Sequence, residues 1–575
     1  MTIGKWIIQA ELRGLAPAVE YKEKGSWHTL SWSDFTNKII AAYSSLKIAG
    51  VKKNDHVGLI SATRWEWSAL DLALLGAGAV VVPIYPNLSD EDLTFIINHS
   101  DIGLLLVEND NLAAQIDRIK SAFERPVTIL KFSEIDFKTT PTAEQKNKFF
   151  GLCKKVELKS VATIVYTSGT TGKPKGAVLL HEAIVSEVTD GFELFGVKPN
   201  YKSLTFLPFA HVLGRIEHWG SCWNGHTLAY AESIEKIKYN LREVKPDFLI
   251  AVPRIFEKVY SGIMTEVETK SYKQKLFTLA LDTARELLRY RQTKEAIPWP
   301  LLLKNEALGK LAFAPIKAAF GGNLKFAISG GAPISRELIE FFGCCGLPIL
   351  EGYGLTETCA AVTVNSLTNN QPGTVGRPIG DVVIKFAEDG EILIKSKKCL
   401  TEYYKNPEET RKNIKDGFFA TGDIGILTEQ GFLKITDRKK DLIKTAGGKY
   451  VAPQKLEGLL KQDPLISQVL IHGDQRKFIS ALITFDEPQL RQWAAGQNIQ
   501  SDSVSELFQN PLLKIRLRKH IQELNSKLAS FEVIKKFEIV SDSWTVENGS
   551  LTPSLKIKRK FLESKYSDVL NEIYE

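Results

Sequence analysis

The chain has 575 residues, 44% of them hydrophobic and 25% charged, which is a globular composition and excludes long disorder. That length exceeds what one hydrophobic core supports, so two to four domains are expected. A net charge of +7, from 74 basic and 67 acidic residues, is too balanced to point to nucleic acid, although a local basic patch facing polyphosphate or an anionic membrane stays open.

In chain order, the opening stretch MTIGKWIIQAELRG is too short and lacks the cleavage site for a signal peptide. The first third then alternates β-branched runs (HVGLIS, AVVVPIY, IGLLLVEN) with helical patterns such as RWEWSALDLALLGAG and SDEDLTFIINHS. Ser89 before Asp90, Glu91 and Asp92 is a helix N-cap with charges that suit the helix dipole. The alternation predicts parallel α/β layers, with ligand loops at the carboxyl ends of strands. The most apolar tract, ALDLALLGAGAVVVPIYP, carries Asp71, two glycines and two prolines, so it reads as a buried helix and strand and not as a membrane span. The six cysteines, Cys153, Cys222, Cys344, Cys345, Cys359 and Cys399, form no C-x-x-C pair, so a reducing compartment is expected and no zinc site. The expected location is cytoplasmic, with peripheral contact at the inner membrane face left open.

From Arg254 to about Phe320 the pattern is mainly helical. Strand-and-turn patterns follow at LKFAISGGAP and LPILEGYGLTET, and short strands with glycine turns run from about Asn365 to Thr436, as in a small β-barrel. The charged stretch DRKKD at Asp437–Asp441 breaks this pattern. The expected architecture is therefore a large α/β domain over residues 1–436, of layered subdomains plus the small barrel, followed by a smaller α+β domain over 437–575.

The tract IVYTSGTTGKPKGAVL, Ile164–Leu179, places Thr, Ser, Gly, Lys and Pro between two apolar runs. It fails the P-loop pattern, because Gly172-Lys173 is followed by Pro174. Two lysines and four hydroxyls nevertheless favour polyphosphate, with glycines allowing close backbone approach. The tract is one of six ordered motifs, followed by SGGAP (329–333), EGYGLTET (351–358), TGD (421–423), DRKKDLIKTAGGKYV (437–451) and LTPSLKIKR (551–559). This set resembles the AMP-forming acyl-adenylate synthetase superfamily over nearly the whole chain.

The resemblance implies ATP, Mg²⁺ and coenzyme A as cofactor and co-substrates. It assigns Thr167, Ser168, Gly169, Thr170, Thr171, Gly172 and Lys175 to the β- and γ-phosphates, and Gly330, Gly331 and Ala332 to the adenine and acyl pockets. Within the Gly352–Gly354 turn, Tyr353 would stack on adenine. Thr356 would contact the α-phosphate, and Glu357 would hold Mg²⁺ with Thr167. Asp423 and Arg438 would reach the ribose, and Lys440 and Lys444 the nucleotide. Lys556 matches the family lysine that bridges the attacking carboxylate and the α-phosphate, preceded here by Leu555 where many relatives have glycine. Relatives rotate the C-terminal domain between half-reactions about a hinge matching Asp437, which would withdraw Lys556 and bring in Gly447, Gly448 and Lys449 to admit the pantetheine arm.

For the acid, LPFAHVLGRIEHWG lacks the aspartate that amino-acid-activating relatives carry, and offers His211 as a tunnel-lining residue and Arg215 near the place of a tryptophan gate. His211, His218 and His226 are spaced too loosely to read as a metal site. AVPRIFEKVYSGI and VENGSLTPSLKIKRK look like the long-chain fatty acid–CoA ligase branch. An apolar tunnel suits such a substrate, since each buried CH₂ contributes about 0.8 kcal/mol. The runner-up is a fatty acyl-AMP ligase that loads an acyl carrier protein; a luciferase-like oxygenase shares every motif.

Overall fold

The structure is a computed structural model that describes residues 1–167, 173–268, 271–293, 295–439, 441–499, 501, 503–546, 548–552 and 556–575. Two large sheets and their helices make the N-terminal body. The seven-stranded sheet runs, from one edge, through Glu402–Tyr403, Lys175–Leu180, Val161–Thr167, Val80–Ile84, His56–Ile60, Leu104–Val107 and Thr128–Lys131. Its last five strands are parallel. The strand Val80–Ile84 is buried at every residue, as expected where helices cover both faces of a parallel sheet.

The nine-stranded sheet contains Phe326–Ser329 and Ile349–Leu355 as parallel neighbours, then turns antiparallel through Ala360–Val364 and Arg377–Pro378. The expected barrel takes the form of a five-stranded antiparallel sheet that includes Glu391–Lys395, Phe418–Leu427 and Leu433–Arg438. Apolar clusters up to this point draw on residues through Leu433 and Ile435. Separate clusters begin at Ile443 and gather around a three-stranded sheet, Ile466–His472, Ile479–Phe485 and Ile534–Ile539, with helices against it.

The helix Trp65–Ala77 is buried over most of its surface, which marks it as a core element. Asp71 stands within it, fully buried, and meets Arg215 of the helix Val212–Asn224 with Oδ1 2.5 Å from Nη2. Trp219 donates to Asp71 Oδ2 at 2.8 Å, and Arg215 Nη1 donates to Thr163 Oγ1 at 2.7 Å. Burial works to raise the Asp71 pKa, but Arg215, His218 and Trp219 hold it below the usual carboxylate range. Removing one partner of such a pair strands the other charge. Arg215→Met should therefore cost about 3–5 kcal/mol, read as a lowered Tm in thermal denaturation.

Candidate functional site

The strand Val161–Thr167 returns antiparallel as Lys175–Leu180, with Thr167 opposite Lys175. This register brings the end of the strand Val161–Thr167 and the start of Lys175–Leu180 side by side at the carboxyl end of the parallel strands. Ser168, Gly169, Thr170, Thr171 and Gly172 lie outside the described residues, as do Lys440 and Leu555. Thr167 Oγ1 donates to the Lys175 carbonyl at 3.4 Å, and the Lys175 ammonium pairs with the Glu409 carboxylate.

The second wall of the site comes from the ends of Phe326–Ser329 and Ile349–Leu355. Gly331 has φ +80, a conformation that favours glycine. A Cβ on Gly330 would meet Leu213 and the Gly352 carbonyl oxygen at ordinary contact distances, so conformation at Gly331, more than crowding at Gly330, sets this turn. Ala332 is exposed and does not line the pocket. A Cβ on Gly354 would fall 1.4 Å from the Ala360 carbonyl oxygen, so only glycine fits there; one on Gly352 would come within 3.1 Å of Val364. The turn that follows holds Thr356 buried and runs into two left-handed non-glycine residues, Cys359 at φ +53 and Ala360 at φ +92. Strain of this kind persists where packing over-determines it. Here Ala361 N–H donates to Glu187 at 2.8 Å, and Glu187 pairs with the buried Lys398 at 3.0 Å.

Tyr353, Asp423 and Arg438 form one cluster. The Tyr353 hydroxyl donates to Asp423 Oδ2 at 2.7 Å, and Arg438 Nε lies 3.5 Å from Oδ1. Asp423 and Arg438 face each other across paired strands. Burial raises the Asp423 pKa, against Arg438, Tyr353 and Lys556. Lys556 is exposed as a residue. Desolvation and then Arg438 lower its pKa, against Asp423, Asp441 and Glu357. The lysine of the last motif thus converges with residues of three earlier ones.

Beside this cluster lies a largely apolar pocket, part of it open to solvent. Phe192, Phe195, Leu213, Ile216, Phe248 and Ile328 line it, with Gly330, Gly331 and the Gly352–Gly354 turn at one end. His211 lines it too, as the N-cap of the helix Val212–Asn224, its Nδ1 accepting from Leu213 N–H at 3.2 Å. Burial, then the charge of Lys556, lowers His211 to a pKa of about 4, so the ring is neutral at pH 7. Arg215 points away from this role: it is held in the Asp71 pair and is not among the pocket-lining residues. His218 lies 3.1 Å from Asp71, and His226 stacks on Phe192, so the three histidines serve different surroundings.

Glu357 contributes a carboxylate and Thr167 a hydroxyl from adjoining elements, since the Thr356–Thr358 turn packs against the strand Lys175–Leu180. This all-oxygen donor set fits Mg²⁺, which retains waters and completes its shell with phosphate oxygens. Gly447, Gly448 and Lys449 sit in an exposed hairpin turn between Ile443–Lys444 and Tyr450–Val451, with Gly448 at φ +74. Lys444 is exposed and stands over the Tyr450 ring. None of these residues lines the apolar pocket.

Sequence reasoning missed Tyr403, whose hydroxyl donates to Glu357 Oε1 at 2.9 Å, together with Glu409, Glu187 and Lys398. Their partners lie 46 to 234 residues away, and no local spacing announces them.

A parallel α/β body with a glycine-rich loop, a charged cluster and an apolar pocket beside it defines a nucleotide-dependent enzyme that takes an apolar co-substrate. The chain belongs to the AMP-binding enzyme family: residues 8–404 match the family model for the AMP-binding enzyme, and 440–575 the AMP-binding enzyme C-terminal domain. It is 34% identical over 562 residues to the long-chain-fatty-acid–CoA ligase FadD15 of Mycobacterium bovis, covering 96% of this chain and 93% of that one. Its fold is that of the adenylation domain of a carboxylate reductase from Mycobacterium chelonae (TM-score 0.73, 23% identity, 100% and 91% covered). It also matches o-succinylbenzoate coenzyme A synthetase from Bacillus subtilis, solved in complex with ATP and magnesium ion (TM-score 0.69, 19% identity, 97% and 99% covered). Among the described residues, no helix is long and apolar enough to cross a membrane.

Behind His211, on the same helix, Glu217 is fully buried and its pKa is pushed up to about 8 by burial, with Thr205 pulling the other way. The native state keeps this proton while an unfolded carboxyl, near 4.5, gives it up, so stability is lost as pH rises between those values. Relative to the parent, Glu217→Gln should therefore gain Tm progressively from about pH 4.5 to about pH 8, as differential scanning calorimetry across that range would show.

Proposed function

We infer that the chain is an ATP-dependent long-chain fatty acid–CoA ligase. The fatty carboxylate attacks the α-phosphate of ATP, giving acyl-adenylate and pyrophosphate; the coenzyme A thiol then displaces AMP to give acyl-CoA. The observation that carries this reading is the meeting of Lys556, Asp423, Arg438 and Glu357 next to an apolar pocket, which joins a phosphate-binding charge set to space for an alkyl chain. The similarity to a long-chain-fatty-acid–CoA ligase over 96% of the chain supports the choice of acid.

In this reading the loop Thr167–Gly172 and Lys175 cradle the β- and γ-phosphates, and Lys175 exchanges Glu409 for phosphate. Tyr353 stacks on adenine, with Gly352 and Gly354 keeping the approach flat. Asp423 and Arg438 take the ribose, and Lys440 and Lys444 add nucleotide contacts. Thr356 meets the α-phosphate, while Gly330 and Gly331 border base and acid. Glu357 and Thr167 hold Mg²⁺, which when bound neutralises phosphate charge. Neutral His211 lines the path of the acyl chain without adding a further cation beside Lys556 and Arg438.

The chain divides functionally into 1–436 and 437–575. The second unit rotates after adenylation, withdrawing Lys556 and presenting Gly447, Gly448 and Lys449 to the pantetheine arm. The arrangement described above, with Lys556 facing Asp423 and Glu357, corresponds to the adenylating state.

An AMP-release assay dependent on coenzyme A, run across acids from acetate to long saturated and unsaturated chains, tests the substrate class. kcat/KM should rise with chain length; preference for acetate or an amino acid would overturn it. Lys556→Ala tests the division of labour. It should cost about 10²–10³ in the rate of acyl-adenylate formation, yet convert chemically made acyl-adenylate plus coenzyme A at nearly normal speed. Equal slowing of both half-reactions would reject the rotation.

A further inference from the structure

The segment Leu400–Asn413 carries none of the motifs, yet it is fastened to the phosphate end of the site at both backbone and side-chain level. Leu400 N–H donates to the Glu357 carbonyl at 2.7 Å, Thr401 N–H to Val178 at 3.1 Å, and Tyr404 N–H to Gly176 at 2.8 Å. Glu402 and Tyr403 extend the seven-stranded sheet by pairing with Val178 and Ala177. The segment therefore grips the strand that leaves the glycine-rich loop and the turn that holds Glu357.

Its side chains reach the same two charged residues. Tyr403 is 5% exposed, and its hydroxyl donates to Glu357 Oε1 at 2.9 Å. The Lys175 ammonium stands 5.7 Å from the Tyr403 ring centre and pairs with Glu409, whose Oε1 also accepts from Asn413 Nδ2 at 2.9 Å. A carboxylate on a three-bond stem samples many rotamers. A hydrogen bond to one oxygen from a phenol that is itself buried narrows those orientations.

We propose that Tyr403 is a positioning residue that holds the Glu357 carboxylate in its Mg²⁺-binding orientation. This inference rests on the reading of Glu357 as a metal ligand. Tyr403 touches neither metal nor phosphate in this role; it acts through Glu357, as partners that orient metal-binding side chains do, and loss of such a partner costs about 10–100-fold in metal affinity. The ring has a separate task, as a face for Lys175, which phenylalanine would retain.

The test is Tyr403→Phe in the full chain, with two readouts. One is the Mg²⁺ concentration for half-maximal ATP–pyrophosphate exchange with a long-chain acid. The other, independent of turnover, is Mn²⁺ binding followed by electron paramagnetic resonance in the presence of a non-hydrolysable ATP analogue. Tyr403→Phe should raise the half-saturating Mg²⁺ and the Mn²⁺ dissociation constant about tenfold. Excess Mg²⁺ should restore most of the rate, and the KM for ATP at saturating Mg²⁺ should shift much less. Glu357→Gln, run in parallel, separates the two layers of the argument. Unaltered metal binding in Tyr403→Phe beside impaired binding in Glu357→Gln overturns the role of Tyr403 alone. Unaltered metal binding in Glu357→Gln overturns the ligand reading beneath it. A fall in Tm with a rate loss that excess Mg²⁺ does not rescue would make Tyr403 a packing residue and reject the proposal.

Discussion

The position of the site depends on one buried ion pair. Asp71 and Arg215 are both fully buried, where each charge alone would be heavily penalised and only their pairing with further hydrogen bonds makes burial tolerable. The pair joins the helix Trp65–Ala77 to the helix Val212–Asn224, and through Thr163 it reaches the strand that ends at Thr167. That strand ends at Thr167, where the glycine-rich tract of the sequence begins, and that helix begins at His211 on the wall of the apolar pocket.

The second constraint is electrostatic. Lys556 and Arg438 repel each other, and Asp423 and Glu357 moderate that repulsion. Two cations and three anions, Asp441 being the third, thus gather in the cleft and offset one another. Lys175 follows the same pattern, being parked on Glu409. Residues up to Leu433 and Ile435 build the apolar clusters of the first body, and residues from Ile443 onward build those around the last sheet. Lys556 thus belongs to a separately packed body, flanked by Leu551 and Ile557 of its own apolar cluster.

Strain and close packing shape the rest. Gly354 admits the Ala360 carbonyl where a side chain cannot stand, and the left-handed residues Cys359 and Ala360 follow at once. Glu187, held by buried Lys398, receives the Ala361 N–H that comes out of this turn. The order of glycines in EGYGLTET therefore reflects backbone crossing as much as access for a flat base.

The sequence by itself determined the layered α/β class, the loop at a strand's carboxyl end and the residues of the charged cluster, because each is written in local spacing: alternating apolar runs, a glycine-rich tract, short motifs in fixed order. Tyr353, Asp423 and Lys556 were singled out through those motifs, and they gather in one cluster. Only the tertiary structure decided that Arg215 is a buried strut and not a gate, that His211 is at once a helix cap and pocket wall, and that Tyr403 and Glu409 reach Glu357 and Lys175. Those roles arise from contacts between residues far apart in the chain, and a contact of that kind leaves no period or motif at either end; folding alone brings the partners together.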